Sequence, residues 1–124
     1  MAPRKNFDHI PHGLARALSV MGEWWTPLVV HAISQGHHRF EEIQGELGIA
    51  RNILTDRLTT LVAKNVVEKV EYTARPRRFE YKLTKSGAEL VLILEQLEKW
   101  GNKWNGAGSS DNDDDGTTGV PLRV

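Results

Sequence analysis

The sequence predicts a mainly α domain that carries one small antiparallel β-hairpin (α+β). Three observations predict it. Four segments place apolar residues at helical spacing before residue 65. Two short alternating runs then flank a basic loop with a single Pro. A last segment returns to helical spacing and is apolar on more than one face.

The first helix is expected over Gly13–Met21, where Leu14, Ala17, Leu18 and Met21 recur at helical spacing and Gly22 ends the run. The second starts near Thr26-Pro27, a cap residue followed by Pro at the first helical position. It carries Leu28, Val29, Val30, Ala32 and Ile33 and stops at Gly36. A short third helix, Phe40–Leu47, puts Phe40, Ile43 and Leu47 on one face and ends at Gly48. The fourth covers about Ala50 to Lys64, with Ile53, Leu54, Leu58, Leu61 and Val62 as its apolar stripe. Its opposite face holds Asn52, Asp56, Thr59, Thr60 and Ala63, with Thr55 beside them. Solvated faces are usually richer in long charged residues, and small polar side chains let another surface approach. Val66, Val67, Val70 and Tyr72 form one strand, and Phe79, Tyr81 and Leu83 the other. Between them, Thr73 to Arg78 reads as a basic loop. The last helix starts at Thr84 or Ser86 and runs to about Trp104. Its Leu90, Val91, Leu92, Ile93 and Leu94, continued by Leu97, Trp100 and Trp104, exceed what one packing face uses. The surplus marks a partner interface or a helix buried on two sides within the monomer.

The 124 residues hold 16 Lys+Arg and 16 Asp+Glu, so the formal charge is zero. That neutrality joins unlike parts. Residues 50–85 carry nine basic and four acidic side chains, whereas residues 106–124 carry four Asp and one Arg. A nucleic acid meets a face and not a total, so the basic stretch is the relevant one. There is no Cys, which excludes a disulfide framework, Cys-ligated zinc and a thiol nucleophile within these residues. No apolar run approaches the roughly 20 residues of a membrane span, and the start lacks a signal-peptide core, so the expected location is cytoplasmic. Three regions are expected: a flexible lead over 1–11, one domain over 12–105, and a disordered Gly/Ser/Asp/Thr-rich tail over 106–124. No phosphate loop, nucleophile elbow or zinc-protease motif occurs, so no enzyme and no cofactor are expected. His37, His38, His9 and His12 lack convergent partners and predict no metal site.

Three helices, a tight turn between the third and fourth, then a basic hairpin is the order of a winged helix-turn-helix. A helix fits the major groove and reads base edges, while phosphate contacts fix position. The recognition candidates are Arg51, Asn52, Thr55, Asp56, Arg57 and Thr59. Asn bonds adenine bidentately and Arg reads guanine or phosphate. Asp56 is expected to pair with a neighbouring Arg, and Arg57 to meet phosphate or an internal carboxylate. Arg75, Arg77 and Arg78 at the wing and Arg39 at the start of the third helix are the backbone candidates.

Four motifs carry a resemblance: Gly22/Trp25/Thr26, Gly36/Arg39/Phe40/Ile43, Leu54/Thr55/Arg57/Leu58/Leu61 and Tyr81/Leu83/Thr84/Gly87. With their spacing, residues 12–104 resemble the HxlR-type (DUF24) bacterial transcriptional regulators, relatives of MarR. The resemblance implies a homodimer built by the first and last helices, through Leu14, Leu18, Leu90, Ile93, Leu94, Leu97, Trp100 and Trp104. It implies double-stranded DNA as partner, on a near-palindromic operator. Some members of that family sense electrophiles through a Cys before the first helix. His12 stands at that position here, so the thiol mechanism does not carry over. Ala50 replaces a frequent Ser cap, at a cost of about 1 kcal/mol, and Asn65 replaces a frequent Gly. Trp24, Trp25 and Trp100 are candidates for an aromatic pocket taking a flat small-molecule effector, with packing as the plainer use. The rival functions are a winged helix that binds protein and a small-molecule carrier.

Overall fold

The computed structural model describes residues 12–21 and 23–106. The lead over 1–11, Gly22 and the tail from residue 107, with the expectations placed on them, lie outside the described residues. Seven elements follow in order: α1 (Gly13–Met21), α2 (Trp25–Ser34), α3 (Phe40–Leu47), α4 (Arg51–Ala63), β1 (Val67–Ala74), β2 (Arg77–Leu83) and α5 (Lys85–Asn105). The fold class is the expected one, helices with a two-stranded antiparallel hairpin. The chain divides into two compact units, one through Val91 and one from Leu92. No described helix is long and apolar enough to cross a membrane.

The core of the first unit is built around α2, whose Val29, Val30, Ala32 and Ile33 are all buried. Ile43 of α3, then Leu54, Leu58 and Leu61 of α4, and Val66 with Val67 at the foot of the hairpin complete it. Each fully buried Leu or Ile contributes about 1.5–3 kcal/mol. Two helix ends fix the directions of the chain by the same device. After α2, the N–H groups of Gly36 and His37 donate back to Ile33 O and Ala32 O, both at 3.1 Å. After α4, those of Asn65 and Val66 donate to Val62 O and Leu61 O, both at 3.0 Å. This pair of hydrogen bonds requires a left-handed residue, here Gly36 at φ 104° and Asn65 at φ 63°. Asn tolerates that conformation, so the departure at Asn65 keeps the geometry.

Thr84 ties the hairpin to α5. Its N–H and hydroxyl reach Val66 O at 3.1 and 3.0 Å, its hydroxyl oxygen also lies 2.7 Å from Asn65 O, and that oxygen accepts the Gly87 N–H at 3.1 Å. Thr84 is thus the cap of α5, which settles its start. A Cβ on residue 87 would lie 2.3 Å from Val66 O, so only Gly fits this joint.

The hairpin differs from expectation. Pairing runs from Val67↔Leu83 to Ala74↔Arg77, so the connection is Arg75-Pro76 alone. Thr73, Ala74, Arg77 and Arg78 belong to the strands and not to a loop. Pairing to the shortest turn satisfies their backbone groups, and Thr73 Oγ1 also donates to Pro76 O at 2.9 Å. The register shifts between Glu71 and Thr73, leaving Tyr72 as the extra residue of a β-bulge.

Candidate nucleic-acid interface

In α4 the sequence puts Leu54, Leu58 and Leu61 on the buried side, which turns Arg51, Asn52, Thr55, Asp56 and Thr59 outward, all exposed. The hydroxyls of Thr55 and Thr59 donate back to Arg51 O at 3.0 Å and Thr55 O at 2.8 Å. With those protons engaged, the two residues offer methyl groups and oxygen lone pairs to an approaching surface. No side chain caps α4, because Ala50 occupies the cap position. The Arg51 guanidinium lies over the Phe40 ring, 4.7 Å from its centroid.

Arg57 corrects the sequence reading. It is 7 % exposed and turned inward, where its guanidinium meets Glu23 on the turn between α1 and α2 and its neighbour Asp56. At about 100° per residue, Arg57 falls about 60° from Leu54 on the buried side, and Val62 drifts off the stripe to partial exposure. The internal carboxylate, one of the two expected partners, is the one present. Arg57 is therefore removed from the surface that α4 presents. Glu23 was missed, since nothing along the sequence signals a partner 34 positions away from Arg57.

The wing cations are exposed and engaged. Arg39 Nε donates to Glu80 Oε2 at 3.4 Å, and its guanidinium sits 4.3 Å from the centroid of Tyr72. Arg77 Nε donates to Glu71 Oε2 at 3.2 Å and lies over Phe79, as Lys69 does at 4.5 Å. A backbone bond of 2.7 Å from Tyr81 N–H to His38 O fastens β2 to the loop before α3, where Arg39 begins. Burial pushes the Tyr81 phenol above its ordinary pKa. Arg75 and Arg78 are exposed. The rings and carboxylates around the arginines were not singled out from sequence. Which carboxylate and ring meet each arginine depends on the cross-strand register and on where α3 meets the hairpin.

The remaining candidates divide between the two units. In the first, Leu14 and Leu18 of α1 are exposed, Leu90 is half-buried, Trp25 is half-buried and Trp24 stands 84 % exposed. In the second, Ile93, Leu97, Trp100 and Trp104 are exposed, while Leu94 is buried in the single chain and so leaves the free apolar face. Among the described residues, no group of His, Asp and Glu could hold a metal ion.

Comparison with known proteins places this geometry. The HxlR-like helix-turn-helix family model matches residues 20–109. Rv3095 of Mycobacterium tuberculosis, named an HTH-type transcriptional regulator, is 36% identical over 91 residues. That match takes in 73% of this chain and 58% of the relative, so the chain spans little more than half of that protein's length. The crystal structure of PA1607 superposes with a TM-score of 0.76 at 30% identity, covering 96% of this chain and 84% of PA1607. The reduced form of HypR, described as a redox regulator, gives a TM-score of 0.66 at 30% identity, over 71% of this chain and 88% of HypR. Sequence, fold and relatives agree, and the chain belongs to the HxlR-like helix-turn-helix family of transcriptional regulators.

Proposed function

We propose that this chain regulates transcription by binding double-stranded DNA as a homodimer on a near-palindromic operator. α4 enters the major groove with Asn52, Thr55 and Thr59 toward base edges and Arg51 toward a base or phosphate. Arg39, Arg75, Arg77 and Arg78 take the backbone. The observation that carries this reading is the outward face of α4, polar and short-chained, in the same compact unit as the exposed wing arginines. Asp56, held against Arg57, is masked from phosphate in part. Each unit also exposes an apolar strip of its own, Leu14 and Leu18 on α1 and Ile93, Leu97, Trp100 and Trp104 on α5. Both strips serve self-association in this reading. These 124 residues hold no Cys, so in this reading no thiol switch lies within them.

The test is binding to a duplex selected from random sequence, measured across salt concentrations. Replacing Arg77 and Arg78 by Ala should flatten the log–log salt slope by about 2, one unit per lost phosphate contact. An unchanged slope removes the wing from the interface. Sedimentation at micromolar concentration should show a dimer, and a monomer there ends the homodimer reading.

A further inference from the structure

Three half-buried rings of the first unit each lie beneath a cation. Phe40 carries Arg51, Tyr72 carries Arg39, and Phe79 carries Arg77 together with Lys69. The three arginines come from the start of α4, the start of α3 and the wing, the surfaces that the DNA reading uses. Two of them are also held from the side, Arg39 by Glu80 and Arg77 by Glu71. Both carboxylates take Nε, the nitrogen next to the stem. That leaves the terminal nitrogens, a pair whose spacing matches two oxygens of a phosphate. Val70 pairs with Glu80 and Tyr72 follows Val70 by two residues, so strand alternation puts Tyr72 and Glu80 on the one face that meets Arg39.

We propose that Phe40, Tyr72 and Phe79 are positioning residues, which hold Arg51, Arg39 and Arg77 flat and ordered before DNA arrives. The proposal rests on the DNA reading above. A free arginine samples many rotamers and loses them on binding, while a stacked one has already lost them. Pre-ordering one long side chain is worth about 2- to 10-fold in affinity. The rings touch no DNA in this account, so they change affinity without changing the number of phosphates neutralised. Arg39 lies nearer its ring than Arg77 does, 4.3 Å against 5.2 Å from the centroid, and is also bonded to Glu80.

The test is a double-mutant cycle on the full chain, using a selected operator duplex and a random duplex of equal length. Arg39→Ala should lower affinity and flatten the salt slope by about 1. Tyr72→Leu should lower affinity about 2- to 10-fold at unchanged slope, and Tyr72→Phe, which keeps the ring, should restore wild-type binding. On the Arg39→Ala background, Tyr72→Leu should cost nothing further. An equal cost on both backgrounds overturns the proposal, as does an Arg39→Ala variant with unaltered affinity and slope. If Tyr72→Leu does not fold, the cycle of Phe40→Leu with Arg51→Ala decides by the same criteria. A wild-type chain that binds the operator no better than random DNA, at every salt concentration, overturns the DNA reading itself and is told apart by that.

Discussion

Arg57 and Arg77 are the same residue type in two regions of one compact unit, and the structure uses them in opposite ways. Arg57 sits within α4, 7 % exposed and closed in by Glu23 and Asp56. Arg77 lies on the wing, where one face rests on Phe79 and one nitrogen on Glu71, with the rest of the side chain in solvent. A buried guanidinium depends on its carboxylates, because taking it out of water alone is costly. An exposed one gives little to stability and remains available to a ligand. Formal charge therefore overstates what α4 offers to phosphate and describes the wing more faithfully.

The largest effect that could break this contrast is expected at the buried pair. Glu23→Ala should destabilise the fold by about 1.5–3 kcal/mol, since it removes one of the two carboxylates that hold the buried Arg57. Urea denaturation measures this, and a loss under 1 kcal/mol would mean that Arg57 is solvated after all. A middle-sized effect tests the outward face of α4. Asn52→Ala should reduce discrimination at one base position by about 1–3 kcal/mol, read by competition among operator variants. Equal losses on all sequences would assign Asn52 to phosphate. The smallest effect sharpens the other side of the comparison. Arg77→Ala should alter stability by no more than about 0.5 kcal/mol in the same denaturation experiment.

Much of this architecture is legible along the chain, and what is not has a common cause. The helical stripes of α2 and α4 and the shift of period near Val66 come from nearest-neighbour spacing, and spacing is written in the sequence. The inward turn of Arg57 is not, because it depends on Glu23 lying opposite in space. The short connection at Arg75-Pro76 is hidden because Thr73 to Arg78 has the composition of a loop, yet Thr73 and Ala74 pair with Arg78 and Arg77, and Pro76 O accepts the Thr73 hydroxyl. The ring beneath Arg39 depends on where α3 meets the hairpin, and the Glu71 partner of Arg77 on the pairing register, neither of which spacing along one strand supplies. The burial of Leu94 could not be told from the exposure of Ile93 in a run of five apolar residues.

The fastening at Thr84 has a consequence for how the molecule breathes. One hydroxyl and one amide of this residue close the foot of the hairpin on Val66, and the same hydroxyl seals the first turn of α5 through Gly87. The wing and the start of that helix therefore cannot loosen separately. Lifting the strand ends away from Val66 strips the cap from the helix, and fraying the helix start unlatches the strands. Amides on both sides, Thr84 in the hairpin foot and Gly87 in the helix, should exchange with solvent in a single shared opening.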